Sequence, residues 1–307
     1  MIKVPRLNKD MKESIFCVDD CIATFAENHN LIYQAMYLDE FIIDVQQIEK
    51  KYSFYFPDNM TLNLKKYGGI LIETIPQSVY MMQELEEKLD ASMIVMLEIK
   101  GKDCPWDWRY KKVDWGNHTF LLTGRKRNLF FGMDPYYGYK DVELPKKLLM
   151  NGFVQARVLS AETPDRNKLY EDACNKVRDY HPGYCKIEML KRCINYQIIS
   201  EIKDNMINNN CFDDYNIENN DLIQSLQNCE YSRLRFAIFL QYLSNINLSI
   251  KWCVSKYIEI ASVWGQIRKV AVKELISGVN NDEIIVELLN QVNEMEKNIL
   301  EKLAKCM

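Results

Sequence analysis

The chain has 307 residues, 48% hydrophobic and 27% charged, with a formal net charge of −4. That composition supports one large or two medium globular domains, and its acidic balance argues against a nucleic-acid-binding surface. No apolar run approaches the ~20 residues of a membrane span, and the charged opening MIKVPRLNKDMKES lacks the apolar stretch of a secretion signal, which predicts a cytoplasmic protein.

The first predicted element is a helix from about Cys17 to Asn28, with Ile22 and Phe25 on one side. Strand-like runs follow at 69–73, 93–99, 118–123 and 128–133. The last two are joined by Gly124-Arg125-Lys126-Arg127, which reads as a hairpin turn carrying a solvated basic run. From about Thr163 the pattern turns helical, with segments expected at 165–180, 186–208, 218–228, 231–246, 248–277 and 281–305. Their breaks are His181-Pro182-Gly183, the run Asn208-Asn209-Asn210, and Gly278 to Asp282. In the last segment Ile284, Ile285, Leu288, Leu289, Val292, Met295, Ile299 and Leu303 trace a packing stripe. An α+β domain over 1–160 with an antiparallel sheet, followed by a helical domain over 161–307, is the expected organisation.

Ten cysteines are scattered along the chain, many beside apolar residues in helical patterns. Without a signal peptide they read as reduced thiols serving as small hydrophobes. No paired CxxC motif occurs, and there are only three histidines, His29, His118 and His181, so no metal site is expected.

Chemistry concentrates at Cys17, His118 and Asp134. Cys17 falls at the first turn of the first helix, where unpaired backbone N–H groups and the helix dipole favour a thiolate. Cys21 lies one turn on and is the alternative nucleophile; each alone is more often a core residue. His118 follows the turn-like Asp114-Trp115-Gly116-Asn117 and opens a strand, while Asp134 closes the partner strand sixteen residues later. Antiparallel pairing then sets His118 beside Asp134, leaving the other ring nitrogen for the cysteine proton. Trp106, Trp108 and Trp115 before the histidine, with Tyr136, Tyr137 and Tyr139 after the acid, are either a cradle for an acyl chain or loop anchors. His29 reads as a helix-end residue and His181 as a turn residue. Asp19 and Asp20 suit a helix N-terminus, and at a cleft mouth would draw in a cationic amine.

The order Cys, His, Asp within CVDDCIATFAENHNL and GNHTFLLTGRKRNLFFGMDPYYG, with SMIVMLEIKGKDCPWDWRY between them, resembles the C39-like branch of papain-fold cysteine enzymes. More closely, it is similar to the butirosin-biosynthesis acyltransferase type, including amide-forming enzymes of closthioamide-like biosynthesis. The resemblance spans roughly residues 10–155. It implies a papain-like fold, and its spacing of five residues ahead of Ile22 places the nucleophile at Cys17. One position departs: Met11 stands where papain-like enzymes carry an oxyanion-hole glutamine, leaving Asn8 and Asn117 as candidate second donors. Loss of such a donor typically costs about 3 kcal/mol of transition-state stabilisation.

A Cys-His-Asp set supports acyl transfer through an acyl-enzyme. The resemblance implies amide formation between an acyl or peptidyl thioester, held on the phosphopantetheine of a carrier protein, and an amine or diamine, in nonribosomal-peptide-like natural-product biosynthesis. No further cofactor is implied, and no GxxxxGK[ST] loop occurs. Two alternatives stand beside it: a C39-like peptidase, and a papain-fold binding module without activity. Arg233, Arg235, Lys251, Arg268 and Lys269 in the helical region read as a solvated face, or less often as a carrier dock.

Overall fold

The computed structural model describes residues 16–48, 51–108, 111, 116–180, 190–191, 193–194 and 220–307. The chain is α+β, with an antiparallel sheet and a helical C-terminal region. It divides into two compact units: one formed by 1–36 and 60–166, the other by 37–59 and 167–307.

The first unit begins with α1 (Cys17–His29), which ends where Asn30 takes a left-handed conformation at φ 56°, a common way of stopping a helix. A short α2 (Met60–Asn63) runs into a π-helical turn at Leu64–Gly68. The sheet strands are β3 (Ile70–Ile75), β4 (Ile94–Lys100), β5 (Asn117–Lys126), β6 (Leu129–Asp134), β7 (Tyr139–Pro145) and β8 (Phe153–Ala161). Their spatial order is β3-β8-β4-β5-β6-β7, and every neighbouring pair is antiparallel. Two further helices belong to this unit, α3 (Met81–Asp90) and α4 (Lys146–Gly152).

Strand alternation sets the core. Val95 pairs with Leu122, Leu97 with Phe120 and Ile99 with His118. These positions share one sheet face, and all but His118 join Leu85 and Leu89 of α3 in a single apolar cluster. His118 therefore lies at the end of a row of core residues. The β5–β6 turn is tighter than the expected four residues: Lys126 pairs with Leu129, with Arg127 in left-handed backbone at φ 56°.

The second unit contains the hairpin β1 (Asp44–Ile48) and β2 (Lys51–Tyr55), and helices α5 (Arg166–Asp179), α6 (Asp221–Ser244), α7 (Trp252–Ser277) and α8 (Asp282–Cys306). Two helices expected at 218–228 and 231–246 are one continuous α6. Asn220 caps it, its side-chain oxygen accepting the N–H of Leu222 at 3.0 Å and of Ile223 at 3.1 Å. The expected break falls on Cys229, which is buried, and Glu230, which pairs with Arg268 at 2.9 Å, so helix continues through it. Most of the helix expected at 186–208 lies outside the described residues, as does His181.

The cationic face proposed from sequence is corrected here as well. Arg233 is only 1% exposed; its Nε donates to Glu296 at 2.7 Å and one Nη lies 3.4 Å from the Glu40 carbonyl. Arg235 pairs with Glu40 at 3.3 Å. Of the five cations only Lys251 and Lys269 are exposed. No helix among the described residues is long and apolar enough to cross a membrane.

Candidate functional site

Cys17 is the first residue of α1 and is partly exposed. The first helical hydrogen bond runs from the Asp20 N–H to the Phe16 carbonyl at 3.2 Å, so the N–H groups of Cys17 and Val18 precede the ladder. Asp19 closes the helix start by accepting the Phe16 N–H at 3.3 Å. Asp19 and Asp20 are both buried, at 5% and 7% exposure. They shape the helix end and present no acidic surface to an incoming amine, which corrects that sequence reading.

Cys21 sits differently. Its side chain is fully buried and its Sγ lies 3.7 Å from the Thr119 carbonyl, joining α1 to β5. Burial pushes the Cys21 thiol well above its ordinary pKa, and the charges of Cys17, Asp134 and the two helix acids add to the effect. A neutral, buried thiol is a poor nucleophile.

His118 and Asp134 are both fully buried. Continuing the Leu121–Met133 pairing by one step sets Asp134 opposite Phe120, diagonal to His118 and on the same strand face. The acid reaches the ring across this diagonal, with His118 Nε2 2.6 Å from Asp134 Oδ2. The same oxygen accepts the Trp106 indole N–H at 2.5 Å, and Asp134 Oδ1 accepts the Tyr137 backbone N–H at 3.3 Å. Burial alone lowers the pKa of His118, but hydrogen bonding and charge from Asp134 and Cys17 outweigh it and the ring rises to about 9. Nδ1 has no partner in good hydrogen-bond geometry.

Sequence reasoning missed Asp107. It is fully buried in the loop after β4, and its Oδ2 lies 3.4 Å from His118 Nδ1. Its Oδ1 accepts the Tyr137 hydroxyl at 2.6 Å. No spacing rule marks an acid in a loop, and the only sequence hint was its place between two tryptophans in the loop before His118.

The predicted aromatics separate by role. Trp106 and Tyr137 engage their polar atoms with the two acids. Tyr136 sets its ring edge-on to His118, with centroids 6.1 Å apart. Trp108 is 75% exposed, and Tyr139 packs against Trp106 and Tyr137. Trp115 lies outside the described residues, as do Asn8 and Met11. Asn117 alternates to the sheet face opposite His118 and donates to Glu98 at 2.8 Å, so it does not point toward the ring as an oxyanion donor. His29 is a helix-end residue: its Nδ1 lies 2.8 Å from the Phe25 carbonyl and its ring stacks on Phe25. Among the described residues, no group of three His, Cys, Asp or Glu side chains is placed to hold a metal ion. The arrangement places a partly exposed cysteine at the head of α1, which packs on β5, and on β5 a buried base held by a buried acid; these residue types are the components of nucleophilic acyl transfer. The chain matches no family model, and no curated protein matches it.

Proposed function

We propose that this protein is a cysteine-dependent acyltransferase with a papain-like catalytic unit, working in the cytoplasm with Cys17, His118 and Asp134 as its triad. The observation that carries the reading is His118, sealed from water and pinned by Asp134 at 2.6 Å, on a strand tied by the Cys21–Thr119 contact to α1, the helix that Cys17 opens.

In this reading the Cys17 thiolate attacks the carbonyl of an acyl thioester. The donor's C–S bond breaks, and imidazolium His118 gives its proton to the departing thiolate. An amine then attacks acyl-Cys17 and loses one proton to His118. The new C–N bond forms as the bond to Cys17 breaks, restoring thiolate and imidazolium. The N–H groups opening α1 supply oxyanion donors. Tyr136 beside the ring and exposed Trp108 offer aromatic surface to the acyl group. A basic imidazole suits an amine acceptor, because proton transfer works best when the base matches the group it deprotonates. The donor is an acyl or peptidyl group on a carrier protein's phosphopantetheine, the acceptor a small amine or diamine, and the setting natural-product assembly; these rest on the resemblance of the Cys, His and Asp motifs.

The test is an acyl-pantetheine thioester incubated with the full chain, followed by peptide mass spectrometry. An acyl adduct on Cys17 that an added diamine discharges as an amide is expected, with loss of the adduct in Cys17→Ala and its retention in Cys21→Ala. Peptide cleavage without transfer would move the reading to a peptidase, and absence of any adduct to a binding module.

A further inference from the structure

Two carboxylates, not one, close on His118. Asp134 takes Nε2, and Asp107 stands on the Nδ1 side at 3.4 Å. Both acids are fully buried, as is the ring. One residue ties them together: Tyr137 gives its backbone N–H to Asp134 and its hydroxyl to Asp107, with its own ring centroid 5.4 Å from that of His118. A carboxylate without water is costly unless charge or hydrogen bonds compensate it. The Tyr137 hydroxyl and the His118 ring nitrogen are among the groups set against Asp107.

We propose that Asp107 is a second positioning carboxylate for His118, facing Nδ1 as Asp134 faces Nε2, and that it sustains the ring's charge and orientation when the sulfur of Cys17 is acylated. This rests on the triad reading above. The reasoning follows from what happens to the sulfur. While Cys17 is a thiolate, it serves as counter-ion to the imidazolium. Once it carries an acyl group that charge is gone, yet the ring must still take a proton from the amine. Asp107 and Asp134 are not consumed by the acylation, so the ring keeps two carboxylate neighbours after its first partner has gone. A triad with one carboxylate would weaken at that stage.

The groups recorded against the ring are Asp134 from β6, Tyr136 and Tyr137 from the turn after it, Phe120 from β5, Cys17 from α1 and Asp107 from the loop after β4. Asp107 and Asp134 each set a carboxylate within 4 Å of a ring nitrogen.

The test is an NMR titration of the imidazole in the full chain, where three histidines keep the assignment simple and His118→Gln identifies the signal. In Asp107→Asn the His118 midpoint is expected to fall by about one pH unit, because a negative neighbour that favoured the charged ring is gone. The pH profile of adduct discharge by amine should shift in the same direction, with formation of the adduct affected less. An unmoved midpoint in a folded Asp107→Asn protein overturns the proposal. If that variant does not fold, Tyr137→Phe decides: it keeps the charge, removes the competing hydroxyl, and should raise the midpoint, while no movement refutes the idea. Because the titration needs no acyl donor, a failure of the acyltransferase reading leaves this result standing, and an adduct with an unmoved ring sinks this inference alone.

Discussion

At the scale of single residues, His118 links chemistry to stability. An imidazole in the unfolded chain titrates near 6.5, whereas the folded ring titrates near 9. A pKa raised by folding gives stability that is complete below the unfolded value and is lost as pH climbs through the folded one. The window is therefore about pH 6.5 to 9, and the contribution is on the order of 3 kcal/mol. Urea unfolding of wild type and His118→Gln across that range checks it. Wild type should weaken as pH rises while the variant's curve stays flatter, and parallel curves would contradict the expectation. The same scale shows where sequence reading reaches its limit. Cys17, His118 and Asp134 stand out because a helix start and a hairpin fix their spacing. Asp107 meets the ring only through a loop whose path no periodicity records, and Cys21, ranked below Cys17 on the resemblance alone, is set apart physically by its burial.

At the scale of elements, the β5–β6 hairpin bears the site and depends on one glycine. The pairing shifts between Leu122 and Gly124, and Gly132 lies opposite that irregularity. A Cβ added at Gly132 would come 2.1 Å from the Leu121 carbonyl oxygen, a backbone atom that cannot swing away. Gly132→Ala should destabilise the protein by about 2 kcal/mol and disturb Asp134 two residues on. A thermal melt measures the first effect, and loss of the downfield His118 ring signal the second. This hairpin was legible in the sequence because both strands read as apolar runs broken by a polar turn. The neighbouring β7 was not, because only Val142 and Leu144 of its seven residues face inward and the rest read as loop. β1, β2, β8, α3 and α4 were passed over as well. In α3 only Leu85 and Leu89 are fully buried, one turn apart, amid charged residues. Helices α7 and α8 are long and periodic enough to announce themselves, and the structure shifts their ends by only a few residues.

At the scale of the whole molecule, the second unit is organised around a buried ion pair. Arg233 and Glu296 meet at 2.6 Å, with side chains 1% and 10% exposed. Removing one partner leaves an uncompensated charge, so Glu296→Ala should cost about 3 to 5 kcal/mol, and Arg233→Met with Glu296→Leu should recover much of it. Urea midpoints of the three proteins decide; equal midpoints for wild type and Glu296→Ala would exclude the pair as a stabilising element. The same pair explains why a stretch early in the chain belongs to the later unit. Glu40 offers its carbonyl to Arg233, Asp39 pairs with Lys176, and the Phe41 ring lies 5.0 Å from Tyr180 and 4.8 Å from Phe236.

That assignment means the polypeptide passes between units three times, near residues 36, 59 and 166. A fragment starting at 167 would lack the aromatic ring that fills the space between Tyr180 and Phe236, and a fragment ending at 166 would carry an apolar segment with nothing to cover it. Neither half can be excised as an independent piece. During synthesis the early segment must wait for these partners until α6 has left the ribosome.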